Sequence, residues 1–179
     1  MNKTNNREKL LVTLVITSLA IAIFALVSSQ KLVLPTFVPE ELNLPELSTQ
    51  EYVEVQPDAV VVEGQGVVIL TGGCYQLVAN TETAQAESIA NGIAGRIEVR
   101  PNTHDLMKDA LNNLGIEVIM VKIVELRNNT YHGRVILRQG DRIASLDSRP
   151  SDGIALAVRT NSSIYVNENL LKTQGKYIC

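Results

Sequence analysis

Residues 147–158, DSRPSDGIALAV, have the pattern of a strand that leads directly into a helix. Pro150 suits the first turn of a helix, where its missing N–H is not needed, and Asp152 in the same turn favours the helix dipole. The apolar residues that follow are expected to pack inward: Ile154, Leu156 and Val158. We therefore predict that a strand ends near Asp147 and that a helix begins at Pro150.

The residues upstream predict an antiparallel meander. Ile116–Leu126 is almost entirely apolar in its middle, which is typical of a central strand covered on both faces. Two turns follow, each leading into a further strand: Asn128–Asn129 into Tyr131–Arg138, and Gln139–Gly140 into Arg142–Asp147. A two-residue loop at 139–140 would place His132 opposite Asp147 across the hairpin.

The rest of the chain predicts further strands and helices. The strand patterns are Tyr52–Val55 and Ala59–Leu70, broken by a turn at residues 63–66, then Cys74–Val78 and Ile164–Val166. The helical patterns are Thr81–Ala94 with Thr81 as N-cap, residues 101–115 with an apolar face (Leu106, Met107, Ala110, Leu111, Leu114), and one turn at Asn167–Leu171. Together they predict an α+β domain with one mixed, largely antiparallel twisted sheet and about three helices.

The amino-terminal segment has the character of a transmembrane helix. Residues 10–27, LLVTLVITSLAIAIFALV, carry no charge and would form a helix roughly 27 Å long. Lys3, Arg7 and Lys9 precede this run and Lys31 follows it, so the positive-inside rule predicts a cytoplasmic amino terminus and a domain outside the cytoplasm. Cleavage of a signal peptide after Ser29 is the alternative, but the apolar run is longer than secretory signals normally have.

The domain boundaries follow from these patterns. Residues 1–29 are assigned to a cytoplasmic tail and signal anchor. Residues 30–51, with three prolines, are assigned to an extended tether. Residues 52–179 are assigned to the folded domain, with a core at residues 75–171.

Charge is unevenly distributed although the whole chain has a formal net charge of −3. Residues 32–95 contain nine acids and no Lys or Arg, whereas residues 96–179 contain twelve cations and nine acids. A polyanion would prefer the second segment, but ordinary surface solvation explains so mild a bias equally well.

Kinase, dehydrogenase and serine hydrolase functions lose support because the motifs of these classes are missing from the sequence. The chain has no P-loop, no dinucleotide fingerprint, no nucleophile elbow and no metal-binding cysteine pair. Its two cysteines, Cys74 and Cys179, could pair outside the cytoplasm. Because the last residue of a chain is often mobile, we expect them to remain unpaired.

The strand-to-helix junction offers the chemistry of phosphodiester hydrolysis. Arg149 at a helix amino terminus could grip a phosphate, and Asp147 and Asp152 could hold a divalent metal, Mg²⁺ or Mn²⁺, or orient water. His104, at the start of another helix, could act as acid or base. Helix capping and simple ion pairing would explain the same residues without any catalysis.

A second set of residues is predicted to contact nucleic acid. Their side chains are basic or can donate hydrogen bonds to phosphate oxygens. They are Arg100, His132, Arg134, Arg138 and Ser151.

Three stretches of the sequence resemble the bifunctional nuclease domain family. They are residues 100–106, RPNTHDL; residues 130–134, TYHGR; and residues 147–157, DSRPSDGIALA, of which the last is the most specific. The resemblance extends roughly over Tyr75–Leu171. It implies an α+β domain and hydrolysis of DNA, RNA or both.

Two functional hypotheses follow. In the first, the protein is a membrane-anchored nuclease, held in the bilayer by residues 10–27 and assisted by a divalent metal. In the second, the same polar helix start serves a non-catalytic module that binds a small anion or a neighbouring subunit in a homo-oligomer.

Overall fold

The structure is a computed structural model, and it describes residues 9, 11–19, 21–22 and 46–179. The chain divides into two units, residues 1–42 and 43–179. In the first unit the described residues are helical. No helix within the described residues combines the length and the apolar character that crossing a membrane requires. The predicted tail at 1–8, residues 10, 20 and 23–27 of the predicted span, and residues 30–45 of the predicted tether lie outside the described residues.

Residues 46–179 form nine strands and four helices. The strands are β1 (Tyr52–Glu54), β2 (Gln56–Val62), β3 (Gln65–Gly72), β4 (Tyr75–Thr81), β5 (Glu117–Arg127), β6 (Thr130–Gln139), β7 (Arg142–Ser148), β8 (Ser163–Asn167) and β9 (Lys176–Tyr177). The helices are α1 (Thr83–Ile93), α2 (Thr103–Asn113), α3 (Pro150–Thr160) and α4 (Glu168–Gln174). The predicted α+β class is confirmed.

The strands form two sheets, where the sequence predicted one. The first sheet has the order β1-β8-β5-β6-β7 and the second has the order β2-β3-β4-β9. The predicted hairpin between β2 and β3 is confirmed, and it turns at Glu63 and Gly64. Both residues have positive φ, 51° and 80°, as tight hairpin turns of this kind require.

Strand β5 lies at the centre of the first sheet, as predicted. It pairs antiparallel with β6 and parallel with β8. On one face Val121 and Ile123 are buried beneath the apolar side of α3, where Ile154 and Ala155 are also buried. On the other face the ammonium of Lys122 donates to the carbonyl oxygens of Glu46 and Ser48, so the charge within the sheet is satisfied by backbone.

The predicted register between β6 and β7 is wrong. The loop consists of Gly140 and Asp141, because Gly140 takes the positive φ of 57° that the turn requires. Gln139 therefore pairs with Arg142, and Asp147 lies opposite Arg134 rather than His132. His132 instead lies opposite Glu125 of β5.

Helix α1 begins later than predicted. Thr81 ends β4, where it pairs with Gly66 of β3, and Glu82 occupies the N-cap position. The backbone passes so close here that a Cβ on Gly66 would lie 2.5 Å from the carbonyl oxygen of Glu82. Thr81 therefore cannot serve as the N-cap that the sequence suggested.

Helix α2 lies within the predicted stretch 101–115 but buries different residues. Leu106, Met107 and Leu114, which were expected to line an inward face, are 65%, 50% and 63% exposed. Within the described helix Thr103–Asn113, only Asp105 is buried. The apolar face was predicted from periodicity alone, and a charged contact described below overrides it.

The expectation that the two cysteines remain unpaired is wrong. Cys74 and Cys179 form a disulfide, with their Cα atoms 5.2 Å apart. Strand β9 pairs with β4, and the rings of Tyr75 and Tyr177 meet edge to face with centroids 5.5 Å apart. The carboxyl terminus is therefore held against the second sheet and is not a mobile tail.

Removing the disulfide with the double substitution Cys74→Ser and Cys179→Ser should lower the free energy of unfolding by about 2–5 kcal/mol. We expect a value toward the upper end because the bond closes a segment of 105 residues, which restricts the unfolded chain strongly. Urea denaturation with and without reductant measures the effect. Reductant should lower the midpoint of the wild-type protein and leave that of the double variant unchanged; a wild-type midpoint insensitive to reductant would contradict the assignment.

Candidate active site

The amino terminus of α2 is closed by a capping box. The Asn102 side-chain oxygen accepts hydrogen bonds from the backbone N–H groups of His104 and Asp105, at 2.9 and 3.1 Å. In return, the carboxylate of Asp105 accepts from the Asn102 backbone N–H at 2.9 Å. These reciprocal bonds satisfy the otherwise unpaired donors of the first turn and hold His104 in a defined position.

A buried arginine ties this turn to the two neighbouring helices. Arg159 of α3 donates from Nε to the Asp105 carboxylate at 2.6 Å and from one terminal nitrogen to the Ser88 carbonyl of α1 at 2.9 Å. The Arg159 and Asp105 side chains are only 4% and 10% exposed. Burial opposes ionisation of Asp105, but the hydrogen bonds from Arg159 and Asn102 outweigh it and lower the pKa of the carboxyl group.

The close approach of α1 to α3 depends on Gly92. A Cβ at this position would lie 2.5 Å from a methyl carbon of Val158 and 2.7 Å from the Arg159 guanidinium. Both distances are shorter than any normal contact. Glycine at this position therefore allows the guanidinium to reach between the helices.

His104 is held from both sides of its imidazole ring. Nδ1 lies 2.9 Å from the hydroxyl of Ser88 on α1, and Nε2 lies 3.3 Å from the Asp152 carboxylate on α3. The His104 side chain is 12% exposed. Three helices therefore contribute one side chain each to a single hydrogen-bonded row.

Arg149 forms a bidentate ion pair with the Asp152 carboxylate. Its Nε and a terminal nitrogen donate to the two oxygens, at 2.6 and 3.1 Å. A second terminal nitrogen lies 3.8 Å from Glu82. Burial opposes ionisation of Asp152, but Arg149, followed by His104, lowers the pKa of this carboxyl group overall. Asp152 in turn raises the pKa of the Arg149 guanidinium.

These groups stand at the rim of a cleft of about 450 Å³. His104, Arg149 and Asp152 line one side. The remaining wall is mostly aliphatic and is formed by Met107, Leu111, Val135, Leu137, Leu146 and Leu156. A few polar groups beside a mostly apolar wall are the arrangement that small-molecule and cofactor sites commonly have.

Of the predicted catalytic residues, the structure brings together His104, Arg149 and Asp152. Asp147 lies near the end of β7 and is one of the residues that line the cleft. Side chains alternate along a strand, so Asp147 shares the far face of the sheet with its partner Arg134, while the neighbouring Leu146 faces the cleft with Val135.

The predicted nucleic-acid contacts are spread over several surfaces. Arg100 is exposed in the segment before α2. His132, Arg134 and Arg138 follow the far face of β6, where Arg138 forms a 2.5 Å ion pair with Glu117. Ser151 lines a separate recess with Tyr131 and Pro150. None of these five side chains is among the residues that line the described cleft.

Asp152, one of the two predicted metal ligands, is already engaged by other side chains. Within the described residues, no group of three or more His, Cys, Asp or Glu side chains is placed to hold a metal ion. Both oxygens of Asp152 already accept hydrogen bonds from Arg149, and one also faces His104. A cation at Asp152 would have to displace the Arg149 guanidinium.

Comparison with known proteins identifies the family. The family model described as the bifunctional nuclease domain matches residues 75–178, which include every residue of the row and the cleft. The chain belongs to the bifunctional nuclease domain family. The resemblance noted in the sequence is thereby confirmed.

Relatives of this bifunctional nuclease domain occur in bacteria and plants. The chain is 37% identical over 95 residues to an uncharacterized protein of Mycobacterium tuberculosis, covering 53% of this chain and 56% of that protein. It is 34% identical over 79 residues to bifunctional nuclease 2 of Arabidopsis thaliana and 30% identical over 79 residues to bifunctional nuclease 1 of Oryza sativa subsp. indica. These two matches each cover 42% of this chain and 24% of the plant protein.

Several residues that build the site were not singled out from the sequence. Asn102 lies in the predicted helical stretch 101–115, and its spacing to Asp105 is that of a capping box, which is a signal that the sequence does offer. No motif or spacing in the sequence marks Ser88, Glu82 or Arg159 as part of a site. A polar residue on a helix is usually solvated, and local sequence does not reveal that three helices meet there.

Replacing Arg159 by Met should lower the free energy of unfolding by about 3–5 kcal/mol, because the Asp105 carboxylate then stays buried without its cation. Arg142→Met, which removes an exposed guanidinium from β7, is the matched control and should change stability by less than about 0.5 kcal/mol. Urea denaturation at neutral pH measures both. Equal midpoints for the two variants would contradict the structural role of Arg159.

The ion pair between Arg159 and Asp105 should make the free energy of unfolding depend on pH. The folded-state pKa of Asp105 lies below its ordinary value of 3.8, so the stabilisation is present above that value and is lost as the pH falls further. In the Arg159→Met variant this acid-sensitive part should be smaller. Denaturation midpoints measured across the acidic range compare the two proteins.

Proposed function

We propose that this protein is a nuclease that hydrolyses phosphodiester bonds of DNA, RNA or both. One observation carries the proposal: His104, Asp152 and Arg149 meet at the rim of one cleft, although 48 residues separate His104 from Asp152 in the sequence. Membership in the bifunctional nuclease domain family supports the same reaction class. The chain spans about half the length of its mycobacterial relative and a quarter of its plant relatives, so their activities enter here only as support.

In the proposed reaction Arg149 binds the scissile phosphate. Its side chain is 59% exposed, and the terminal nitrogen nearest Glu82 makes only a 3.8 Å contact, which leaves N–H donors for a ligand. A guanidinium presents paired donors that match phosphate oxygens, and it offsets the negative charge that grows in the transition state. Asp152 holds the guanidinium in place through two hydrogen bonds.

His104 and Asp152 act on the reacting oxygens. Hydrolysis adds water across a P–O bond: the attacking water loses a proton, and the leaving oxygen gains one. Both side chains face the cleft within hydrogen-bonding distance of each other, so water bound near Asp152 would also lie near His104. The aliphatic wall beside them offers a surface for the sugar and base next to the scissile phosphate.

Among the other predicted contacts, Arg100 precedes α2 and is proposed to contact phosphates close to the cleft. Arg134, Arg138 and His132 lie on the far face of the first sheet, and Ser151 lines another recess. A strand bound in the cleft would reach them only by passing around the edge formed by β7. We therefore propose that they contribute general attraction for a polyanion, which depends on salt concentration.

A second candidate function is a non-catalytic module that binds an anion or a neighbouring copy of the chain. It is favoured by the saturation of Asp152, whose two oxygens are already engaged by Arg149. Such a module would bind phosphate groups at the cleft without turnover.

We also propose that residues 10–27 anchor the protein in a bilayer, with the folded domain outside the cytoplasm. In the described part of this segment Leu14, Ile16 and Ile21 are 58%, 60% and 70% exposed, so they offer apolar surface to lipid. The disulfide between Cys74 and Cys179 supports an oxidising compartment for the domain.

Substituting Arg149 or His104 by Ala should reduce cleavage of fluorescent DNA and RNA oligonucleotides by the purified full chain. We expect a loss in kcat/KM of roughly 10²–10⁴-fold for each, the range typical of a lost catalytic group. Arg142→Ala is the matched control and should retain wild-type rates. Cleavage that persists unchanged in Arg149→Ala and His104→Ala would remove these residues from the mechanism.

Metal assistance is tested in the same assay. Activity that disappears in EDTA and returns with Mg²⁺ or Mn²⁺ would support the predicted metal. Activity that survives EDTA would assign the reaction to the protein side chains. An increase in melting temperature with oligonucleotide, but without any cleavage, would favour the binding module instead.

Membrane anchoring predicts that the full chain stays in the membrane pellet after alkaline extraction. Leu14→Lys should shift it toward the soluble fraction, because a lysine near the centre of a span costs about 2.5–3.5 kcal/mol in insertion. Leu106→Lys changes an exposed leucine of α2 in the same way and should leave fractionation unchanged. Equal pellet fractions for Leu14→Lys and the wild-type protein would contradict the anchor.

A further inference from the structure

The hydrogen bonds of the side chains in contact with His104 can all run in one direction. The row runs from Asn102 through the hydroxyl of Ser88 to Nδ1 of His104, and from Nε2 of His104 to Asp152. The direction is decided at its first member. The Asn102 side-chain oxygen accepts from two backbone N–H groups, so the atom that faces Ser88, at 3.2 Å, is the amide nitrogen.

The hydroxyl of Ser88 therefore accepts a hydrogen bond from Asn102. Ser88 is only 6% exposed, and its hydroxyl has one proton to donate. His104 Nδ1 lies 2.9 Å away and can accept it. A neutral imidazole has one nitrogen that accepts and one that carries a proton, so Nδ1 as the acceptor leaves the proton on Nε2.

The contact between His104 Nε2 and the Asp152 carboxylate also favours a proton on Nε2. Asp152 is held ionised by Arg149, and an ionised carboxylate can only accept hydrogen bonds. A lone pair on Nε2 would face the carboxylate oxygen at 3.3 Å with no proton between them, which is repulsive. Both ends of the row thus favour the same tautomer.

We infer that Ser88 and Asn102 hold neutral His104 with its proton on Nε2, so that the cleft is offered a hydrogen-bond donor and not a basic lone pair. This assignment of the tautomer stands on the hydrogen bonds alone. Its catalytic consequence rests on the proposed function: His104 donates a hydrogen bond to a phosphate oxygen, and Asp152 takes the proton of the attacking water and passes it to the leaving oxygen as the P–O bond breaks. Ser88 and Asn102 are positioning residues, because they act through His104.

Nitrogen-15 NMR of the labelled full chain in detergent micelles tests the tautomer directly. The chain contains two histidines, so His132→Gln identifies the signals of His104. We expect the wild-type spectrum at neutral pH to show an unprotonated Nδ1 and a protonated Nε2. A protonated Nδ1, with or without a proton on Nε2, would overturn the inference.

Asn102→Asp reverses the hydrogen bond between residue 102 and the Ser88 hydroxyl. The helix cap is kept, because Asp caps helices as well as Asn does. The new carboxylate accepts the Ser88 proton, so the Ser88 oxygen must accept from the imidazole. We expect His104 Nδ1 to gain a proton in this variant. An Nδ1 signal that stays unprotonated would overturn the inference.

Ser88→Ala removes the contact at Nδ1 and leaves only Asp152 to favour a proton on Nε2, so the fraction of His104 protonated on Nδ1 should rise. Thr160→Ala is the matched control, since this hydroxyl bonds to its own helix and to Ser162 and does not touch His104. It should keep the wild-type histidine spectrum. A wild-type spectrum in Ser88→Ala would also overturn the inference.

Cleavage rates separate this inference from the proposed function. A hydrolase whose histidine is held in the wrong tautomer can lose up to about 10⁴-fold in kcat. We expect Asn102→Asp to lower kcat with little change in KM, whereas Thr160→Ala should leave both unchanged. If the spectra agree with the tautomer but the wild-type protein cleaves no nucleic acid, the proposed function fails and the positioning of His104 stands.

Discussion

A buried guanidinium organises the site. Arg159 lies almost fully inside the domain and joins three helices, through Asp105 of α2, the Ser88 carbonyl of α1 and the Ala155 carbonyl of its own helix. A buried charge without partners is strongly destabilising, so each of these groups must keep its place for the domain to fold. The apolar residues Leu106 and Leu114 remain exposed, so they contribute little to holding α2.

The functional residues take their positions from this ion pair. His104 is the neighbour of Asp105, and the hydroxyl and the carbonyl of Ser88 contact His104 and Arg159 respectively. A small shift of α2 would therefore break the ion pair and displace the imidazole at once. Charged contacts are directional, whereas apolar packing tolerates sliding, and this explains how an exposed helix can hold an imidazole within hydrogen-bonding distance of both neighbours.

The beginning and the end of the domain are held by other contacts. At the beginning, Lys122 in the centre of the first sheet donates to backbone carbonyls of Glu46 and Ser48, and its ammonium lies 4.6 Å from the centre of the Tyr52 ring. Burial lowers the pKa of this lysine, although Glu46 opposes the effect. At the end, the disulfide joins Cys179 to the start of β4. These contacts lie outside the row of Asn102, Ser88, His104 and Asp152.

Elements with strong local signals are predictable from the amino-acid sequence. Residues 116–126 are apolar enough to require a central strand, Pro150 marks the start of α3, and the motif around Arg149 indicates the family. The register of Asp147 depends on which turn residue takes the positive φ, and only the folded hairpin shows that this residue is Gly140 at the first loop position. The pairing of Cys179 and the burial of Asp105 depend on partners distant in the chain, and periodicity describes only which face of an element is apolar. The same limit applies to Ser88 and Arg159: their roles arise where three helices meet, and no local pattern encodes that meeting.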